Sequence, residues 1–208
     1  MQIVEMDSWP RKDLYTFFSA MSNPFYSVTF TQDVTNLYRY TKEHHCSFYY
    51  SLIYLCTQAV NQIDAFCYGA KDGQIVRFDR REPSFTDLKP GSQQFHIVTM
   101  PCAGSIPDFC RAAKERSARQ TAFIQSELES DELIYFSCLP WIEMTALTNE
   151  RDFCPDDAIP RIAWGKYTQT DGRLKLNISI ELNHAFTDGF HVGLFHQKLT
   201  ELIDSLPE

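Results

Sequence analysis

The feature that most constrains the fold is a strict alternation of apolar and polar residues over positions 174–182. Leu and Ile occupy the even positions of this run, and Lys, Asn, Ser and Glu occupy the odd ones. Because successive side chains of a β-strand point to opposite faces, the pattern predicts a half-buried strand. Asp171-Gly172 just before it is a preferred two-residue turn, so we expect a hairpin with residues 162–168.

Helical and strand patterns alternate irregularly along the rest of the chain. Apolar spacing predicts helices at 11–20, 34–44, 51–62, 106–125 and in the carboxyl-terminal segment, with strands at 25–31, 74–78 and 133–139. A turn at Lys71-Asp72-Gly73 marks a further hairpin. No low-complexity tract or linker interrupts these patterns, so we expect a single domain over residues 1–208.

Composition restricts the class of protein. The chain is 44% apolar and 22% charged, which is typical of a globular domain, and its net charge of −8 argues against nucleic acid as a partner. Its longest uncharged stretch, 48–63, falls short of the ~20 apolar residues that cross a bilayer. The amino terminus has no pattern of a secretory signal, so we expect a soluble cytoplasmic protein.

The cysteines and histidines do not form the usual metal motifs. The seven cysteines are odd in number and include no Cys-x-x-Cys pair, so we expect reduced, mostly buried thiols rather than disulfides or a zinc site. The histidines show no His-Glu-x-x-His spacing, and no bound metal is expected.

His184 is the main candidate for chemistry because it lies where the predicted strand meets the last helix. A neutral imidazole there could accept a hydroxyl proton, or it could simply be a structural histidine at a strand end. Asp188 could orient the imidazole, cap the following helix or form a structural ion pair. The chain has no Gly-x-Ser-x-Gly elbow, which argues against a nucleophilic serine triad.

Five ordered stretches carry a resemblance to a known family. They are Trp9-Pro10-Arg11-Lys12, the buried helix with Ile53-Tyr54-Leu55 and residues 58–62, Ala70-Lys71-Asp72-Gly73, Ser137-Cys138-Leu139-Pro140-Trp141, and Asn183-His184-Ala185-Phe186-Thr187-Asp188-Gly189-Phe190-His191-Val192-Gly193. The last is similar to the His-His-x-x-x-Asp-Gly and Phe-His-Val signature of the chloramphenicol acetyltransferases. The resemblance covers nearly the whole chain.

The resemblance implies an α/β fold, specifically an α+β two-layer sandwich with a mixed sheet and helices on one side. It also implies a homotrimer with active sites between subunits. By this resemblance His184 is the general base that deprotonates a hydroxyl acceptor, which attacks acetyl-CoA directly, and Ser137 donates to the oxyanion. Asp188 and Arg11 form an ion pair that supports the site.

The resemblance also assigns residues to the two substrates. Lys166 and Tyr167 are expected at the nucleotide end of acetyl-CoA. The expected acceptor-site residues are Phe17, Phe18, Tyr26, Thr86 and Phe95. Three positions depart from the family pattern: Asn183 replaces the first histidine, Ala163 replaces a threonine and Arg161 replaces an aliphatic residue. Chloramphenicol is the expected acceptor.

Three alternatives remain open from the sequence. The chain could be a related acyltransferase that acts on a different hydroxyl compound, or a non-catalytic trimeric binding homologue. The dihydrolipoamide acyltransferases share His-x-x-x-Asp-Gly, but they require a lipoyl domain and linker ahead of the catalytic domain, and we do not expect one here.

Overall fold

The computed structural model describes residues 1–89, 91–152, 154 and 156–207. Its strands are β1 (Gln2–Ile3), β2 (Phe25–Asp33), β3 (Tyr68–Lys71), β4 (Gln74–Arg77), β5 (Glu82–Leu88), β6 (Phe95–Thr99), β7 (Leu133–Cys138), β8 (Arg161–Trp164), β9 (Thr168–Thr170) and β10 (Arg173–Asn183). Its α-helices are α1 (Lys12–Ser19), α2 (Thr35–Glu43), α3 (Phe48–Asn61), α4 (Ile106–Arg119) and α5 (Gly189–Asp204).

The alternating run forms β10, as predicted, and organises the main sheet. Leu176, Ile178, Ile180 and Leu182 are buried in the main core. The odd-numbered residues point to the opposite face, where Asn177 and Ser179 donate to the carbonyls of Met144 and Leu147. The turn before β10 has positive φ at Asp171 (50°) and Gly172 (75°), the left-handed conformation that a type I′ hairpin requires.

The main sheet is mixed, with strand order β2-β10-β8-β7-β5-β6 and β9 paired to β10. β7 lies parallel to both β5 and β8, whereas the other pairs are antiparallel. Helices α3, α4 and α5 bury their apolar residues against one face of this sheet. The expected mixed sheet with helices on one side is confirmed.

A second, smaller apolar cluster lies between α1 and the three-stranded sheet β1-β4-β3. It contains Trp9, Ile75, Ala185 and Phe186, with Tyr15 of α1 packed against it. This cluster matters for the site because Ala185 and Phe186 directly follow His184. The turn that carries the histidine is therefore anchored in its own apolar core.

Two predicted elements end earlier than their patterns suggested. α4 ends at Arg119 rather than near 125, because Gln120 is extended and its amide donates to the carbonyls of Ile97 and Ala122. β8 ends at Trp164 rather than Thr168, because Gly165 packs on segment 142–144. A Cβ at Gly165 would lie 2.7 Å from the Ile142 carbonyl oxygen.

The cysteines match the expectation of unpaired thiols. All seven are free, and Cys56, Cys67, Cys102 and Cys110 are buried. Burial raises the pKa of the Cys110 thiol to about 11, so this side chain is a neutral thiol near pH 7. Among the described residues, no helix has the length and apolar character that a bilayer span requires.

Candidate active site

His184 directly follows the last residue of β10, at the edge of the sheet beside the start of β2. Its ring stacks on Phe18 with centroids 3.9 Å apart and an interplanar angle of 7°, and it lies 4.7 Å from the ring of Tyr26. The half-buried imidazole is thus held between an aromatic side chain of α1 and one of β2.

The ring nitrogens of His184 have no hydrogen-bond partner among the described residues. Nδ1 is buried without a hydrogen bond, and Nε2 makes none either but is not enclosed. No carboxylate therefore orients the ring, which aromatic contacts and the backbone hold in place. Asp188 therefore does not orient the imidazole directly, which was one of its three predicted roles.

Arg11 holds the backbone around His184. Its NH2 donates to the carbonyl of His184 (2.9 Å), its Nε donates to the carbonyl of Ala185 (2.9 Å), and its NH1 donates to Asp188 Oδ2 (2.8 Å). The Arg11 side chain is 11% exposed and that of Asp188 29%. A planar guanidinium suits this task because its donors are fixed in one fork.

Asp188 has two roles in the described structure. It pairs with Arg11, and it is the N-cap of α5, where Oδ1 accepts from the backbone N–H of Phe190 (3.0 Å). Burial opposes ionisation of the Asp188 carboxyl, but the hydrogen bond from Arg11 and the neighbouring charges outweigh burial and lower its pKa. The carboxylate is therefore fully charged near neutral pH.

His191 lies in the first turn of α5, next to Asp188. Its Nδ1 accepts from the backbone N–H of Asp188 at 3.1 Å. Burial lowers the pKa of His191, in spite of the opposing charge of Asp188, which keeps the ring neutral and able to accept this bond.

Ser137 lies far from His184 within one chain. Ser137 pairs with Ala163 of β8, and Ala163 pairs with Ser179 of β10. Ser137 is therefore two strands away from β10, level with Ser179, which lies five residues before His184. With strands ~4.8 Å apart and ~3.4 Å per residue, the two Cα atoms are about 20 Å apart. The predicted catalytic pair is not brought together by a single subunit.

The other predicted site residues fall into three groups. Phe17 contacts Phe18 edge to face and is 62% exposed, so it joins Phe18 and Tyr26 beside His184. Thr86 and Phe95 lie on β5 and β6, on the Ser137 side of the sheet. Lys166 and Tyr167 follow β8, where Lys166 is exposed and Tyr167 packs against the rings of Tyr38 and Phe48.

A buried charge network was not predicted from the sequence. Arg151 pairs with Glu181 (2.7 Å), and Arg161 pairs with Asp157 (2.9 Å), whose carboxylate also approaches Arg151 (3.4 Å). The side chains of Arg151 and Glu181 are only 3% and 6% exposed. Apart from the Asp157–Arg161 spacing, these residues are distant in sequence, so no local pattern marks them.

This network ties segment 144–152 to the outer face of β10, because Arg151 pairs with Glu181. Along that face Asn177 donates to the Met144 carbonyl, Ser179 to the Leu147 carbonyl and Asn183 to the Asp157 carbonyl. Described residues of the connection between β7 and β8 therefore contact β10 up to Asn183, the residue before His184. The described residues hold no group of three or more His, Cys, Asp or Glu side chains suited to a metal.

Comparisons with known proteins agree with this geometry. The chloramphenicol acetyltransferase family profile matches residues 1–200. Chloramphenicol acetyltransferase 3 of Escherichia coli is 28% identical over 204 residues, covering 97% of this chain and 96% of that protein. The chloramphenicol acetyltransferase of Staphylococcus aureus is 25% identical over 206 residues, covering 97% and 94%.

Solved structures show the same fold. A chloramphenicol acetyltransferase superposes with a TM-score of 0.86 at 24% identity, covering 97% of this chain and 99% of the other. The cubic core of the pyruvate dehydrogenase multienzyme complex superposes with a TM-score of 0.69 at 16% identity, covering 92% and 86%. With its signature turn, its fold and the match over residues 1–200, the chain belongs to the chloramphenicol acetyltransferase family, a family of acyltransferases.

Proposed function

We propose that this protein transfers an acetyl group from acetyl-CoA to a hydroxyl of chloramphenicol, with His184 as the general base. The observation that carries the proposal is the environment of His184. Its ring is fixed between Phe18 and Tyr26 and its backbone is held by Arg11, while Nε2 has no hydrogen-bond partner among the described residues. A fixed imidazole with an accessible ring nitrogen is what hydroxyl deprotonation needs.

The reaction needs no acyl-enzyme. Nε2 of His184 takes the hydroxyl proton while the acceptor oxygen attacks the thioester carbonyl and forms the new C–O bond. The carbonyl π electrons move to oxygen, and the Ser137 hydroxyl donates a hydrogen bond to that oxyanion. When the intermediate collapses, the C–S bond breaks and the imidazolium returns its proton to the departing CoA sulfur.

A second copy of the chain completes the site in this proposal. His184 and Ser137 lie about 20 Å apart in one subunit, which is too far for both to contact one thioester carbonyl. A cyclic trimer would place His184 of one subunit opposite Ser137 of the next.

The exposed apolar side chains support such an assembly. Trp141 and Phe190 are 70% and 71% exposed, and Ile142 and Phe17 are more than half exposed. Trp141 and Ile142 lie just beyond Ser137, and Phe17 and Phe190 lie near His184 in the sequence. Large exposed apolar groups at both halves of a divided site are typical of surfaces that another chain covers.

Lys166 and Tyr167 are the proposed contacts for the nucleotide end of acetyl-CoA. Lys166 and Tyr167 follow the carboxyl end of β8, whereas Arg161 is the first residue of that strand. If acetyl-CoA approaches Ser137 from the Lys166 end, the acceptor would approach from the Arg161 end. The unpaired cysteines fit a reducing compartment, and we propose a cytoplasmic location.

The test combines two inactive variants. His184→Ala should lower kcat by ~10²–10⁴-fold or more, since a general base contributes on that scale. Ser137→Ala should also be impaired while remaining folded. When the two variants are co-expressed and mix at random, one intact His184 meets one intact Ser137 in about a quarter of the interfaces of a cyclic trimer.

Recovery of about a quarter of the wild-type rate, measured by CoA thiol release with chloramphenicol, supports the proposal. Each variant expressed alone is the control. If the mixed trimers gain nothing over these controls, the shared site is wrong. If His184→Ala keeps near-normal turnover, the general-base role is wrong.

A more polar hydroxyl acceptor is the second candidate. Arg161 pairs in the sheet with Tyr135, two residues from Ser137 on the same face, and its guanidinium lies 5.4 Å from the Tyr135 ring. The Tyr135 hydroxyl donates to Glu129. These polar side chains near Ser137 favour an acceptor with several oxygen atoms, and an acceptor series assayed against wild type and Arg161→Met separates the two candidates.

A further inference from the structure

Resting on the proposed function, we infer that Asn183 is a positioning residue that fixes His184 for proton transfer. Asn183 is the last residue of β10 and is only 4% exposed. Its side chain does not need to touch substrate, because it acts through the backbone of the turn that carries the imidazole.

His184 and Ala185 have four backbone polar groups, and each of them is hydrogen-bonded. The His184 N–H donates to the Pro24 carbonyl at 2.8 Å. The carbonyls of His184 and Ala185 both accept from Arg11. The remaining group, the Ala185 N–H, donates to Asn183 Oδ1 at 2.9 Å. Asn183 therefore supplies the bond that neither Pro24 nor Arg11 provides.

The same residue closes the turn from its own backbone. The Asn183 carbonyl accepts from the N–H groups of Phe186 and Thr187, both at 3.1 Å, and from the Thr187 hydroxyl at 3.1 Å. The side-chain bond from Ala185 makes an Asx turn inside this larger turn. The direction of the Cα–Cβ bond of His184 is set by these contacts.

The carboxamide also connects the turn to the outer face of the sheet. Asn183 Nδ2 donates to the Asp157 carbonyl at 3.0 Å, and the Asp157 carboxylate pairs with Arg161. The Asn183 side chain thus accepts a hydrogen bond from the turn that carries His184 and donates one to the Asp157 carbonyl, a few residues before β8. The amide group of asparagine fits both tasks, whereas a carboxylate lacks the donor.

The variants Asn183→Ala and Asn183→Ser test this role. Alanine removes the side-chain bonds to Ala185 and Asp157, while a serine hydroxyl can still accept from the N–H two residues on, more weakly. Asn177→Ala is the matched control. Asn177 lies on the same strand and the same face as Asn183, and its side chain also donates to a backbone carbonyl, that of Met144. It lies six residues before Asn183 in the chain.

We expect Asn183→Ala to lower kcat by about 10- to 100-fold, since a misplacement of ~1 Å can cost 10²-fold, with little change in KM for acetyl-CoA. Asn183→Ser should recover part of kcat, and Asn177→Ala should keep nearly all of it. Equal losses in Asn183→Ala and Asn177→Ala, or a loss only in KM, would overturn the inference.

A readout without turnover separates this inference from the proposed function. Histidine ring signals, labelled with ¹³C and assigned with His184→Ala, report the ring environment and titration of His184 in the intact protein. We expect Asn183→Ala to shift the His184 signal and Asn177→Ala to leave it in place. An unchanged signal overturns the positioning role even if the enzyme is active, and a shifted signal in a protein inactive on every acceptor overturns the proposed function alone.

Discussion

The substitution Arg11→Met gives the most direct test of how the site is held together. In the native structure one guanidinium satisfies two carbonyls of the histidine turn and the Asp188 carboxylate, while only 11% of the arginine side chain is exposed. Methionine fills a similar volume but has no donor. It leaves a partly buried carboxylate unpaired and two backbone carbonyls without their partner.

The expected cost follows from these contacts. Removing one partner of a buried ion pair costs about 3–5 kcal/mol, because the remaining charge stays desolvated. Asp188 is 29% exposed, so water can partly replace the arginine there, whereas the two carbonyls each lose a charged hydrogen bond of about 1.5–3 kcal/mol. The two contributions overlap because one guanidinium makes all three bonds, so they are not added, and we expect a net loss of about 3–5 kcal/mol.

The assay is thermal and urea unfolding at a fixed protein concentration, because an assembling protein gains apparent stability with concentration. At about 2–4 °C for each kcal/mol in a chain of this size, Tm should fall by about 10 °C. Arg77→Met is the control, since Arg77 pairs with Asp64 on the surface, where the Asp64 side chain is 74% exposed. A surface pair contributes about 0–1 kcal/mol.

Arg11→Lys divides the effect between charge and geometry. Lysine keeps a positive charge near Asp188 but has one nitrogen, which cannot reach all three acceptors as the guanidinium fork does. We expect intermediate stability and reduced turnover. If Arg11→Met loses no more stability than Arg77→Met, the account of Arg11 as the support of the histidine turn is refuted.

Three further predictions concern the oxyanion, the core and the pH dependence. Ser137→Ala should lower kcat by ~10²–10³-fold in steady-state assays with Tm unchanged, the cost of one oxyanion donor, and a normal kcat would contradict that role. Arg81 is fully buried and donates to the carbonyls of Phe66, Tyr68, Asp131, Leu133 and Ala158, so Arg81→Met should destabilise more than Arg11→Met in urea unfolding. The pKa of Asp188 is lower in the folded protein than in the unfolded chain, so the unfolded chain binds more protons at this residue. The stabilisation from the Asp188 carboxylate is therefore complete above the unfolded pKa of 3.8 and is lost as pH falls through the folded pKa. Stability measured from pH 6 down to pH 2 should therefore fall more steeply in wild type than in Asp188→Asn.

The sequence determined the local elements around the site. The alternation over 174–182 specified β10 because a strand has a period of two, and Asp171-Gly172 specified its turn because both residues tolerate positive φ. The position of His184 at the end of that strand followed from the same pattern. The predicted ends of α4 and β8 were wrong, because they depend on contacts of Gln120 and Gly165 with distant segments.

Tertiary structure alone decided which distant residues meet. Arg11 reaches His184 across 173 positions, and the Arg151, Asp157, Arg161 and Glu181 charges converge only because segment 144–152 lies along the outer face of β10. Ser137 and His184, which the resemblance assigns to one reaction, are separated by two strands of the sheet. Periodicity records which face of an element is buried, but long-range pairing depends on the order of strands and the paths of their connections, which no local pattern contains.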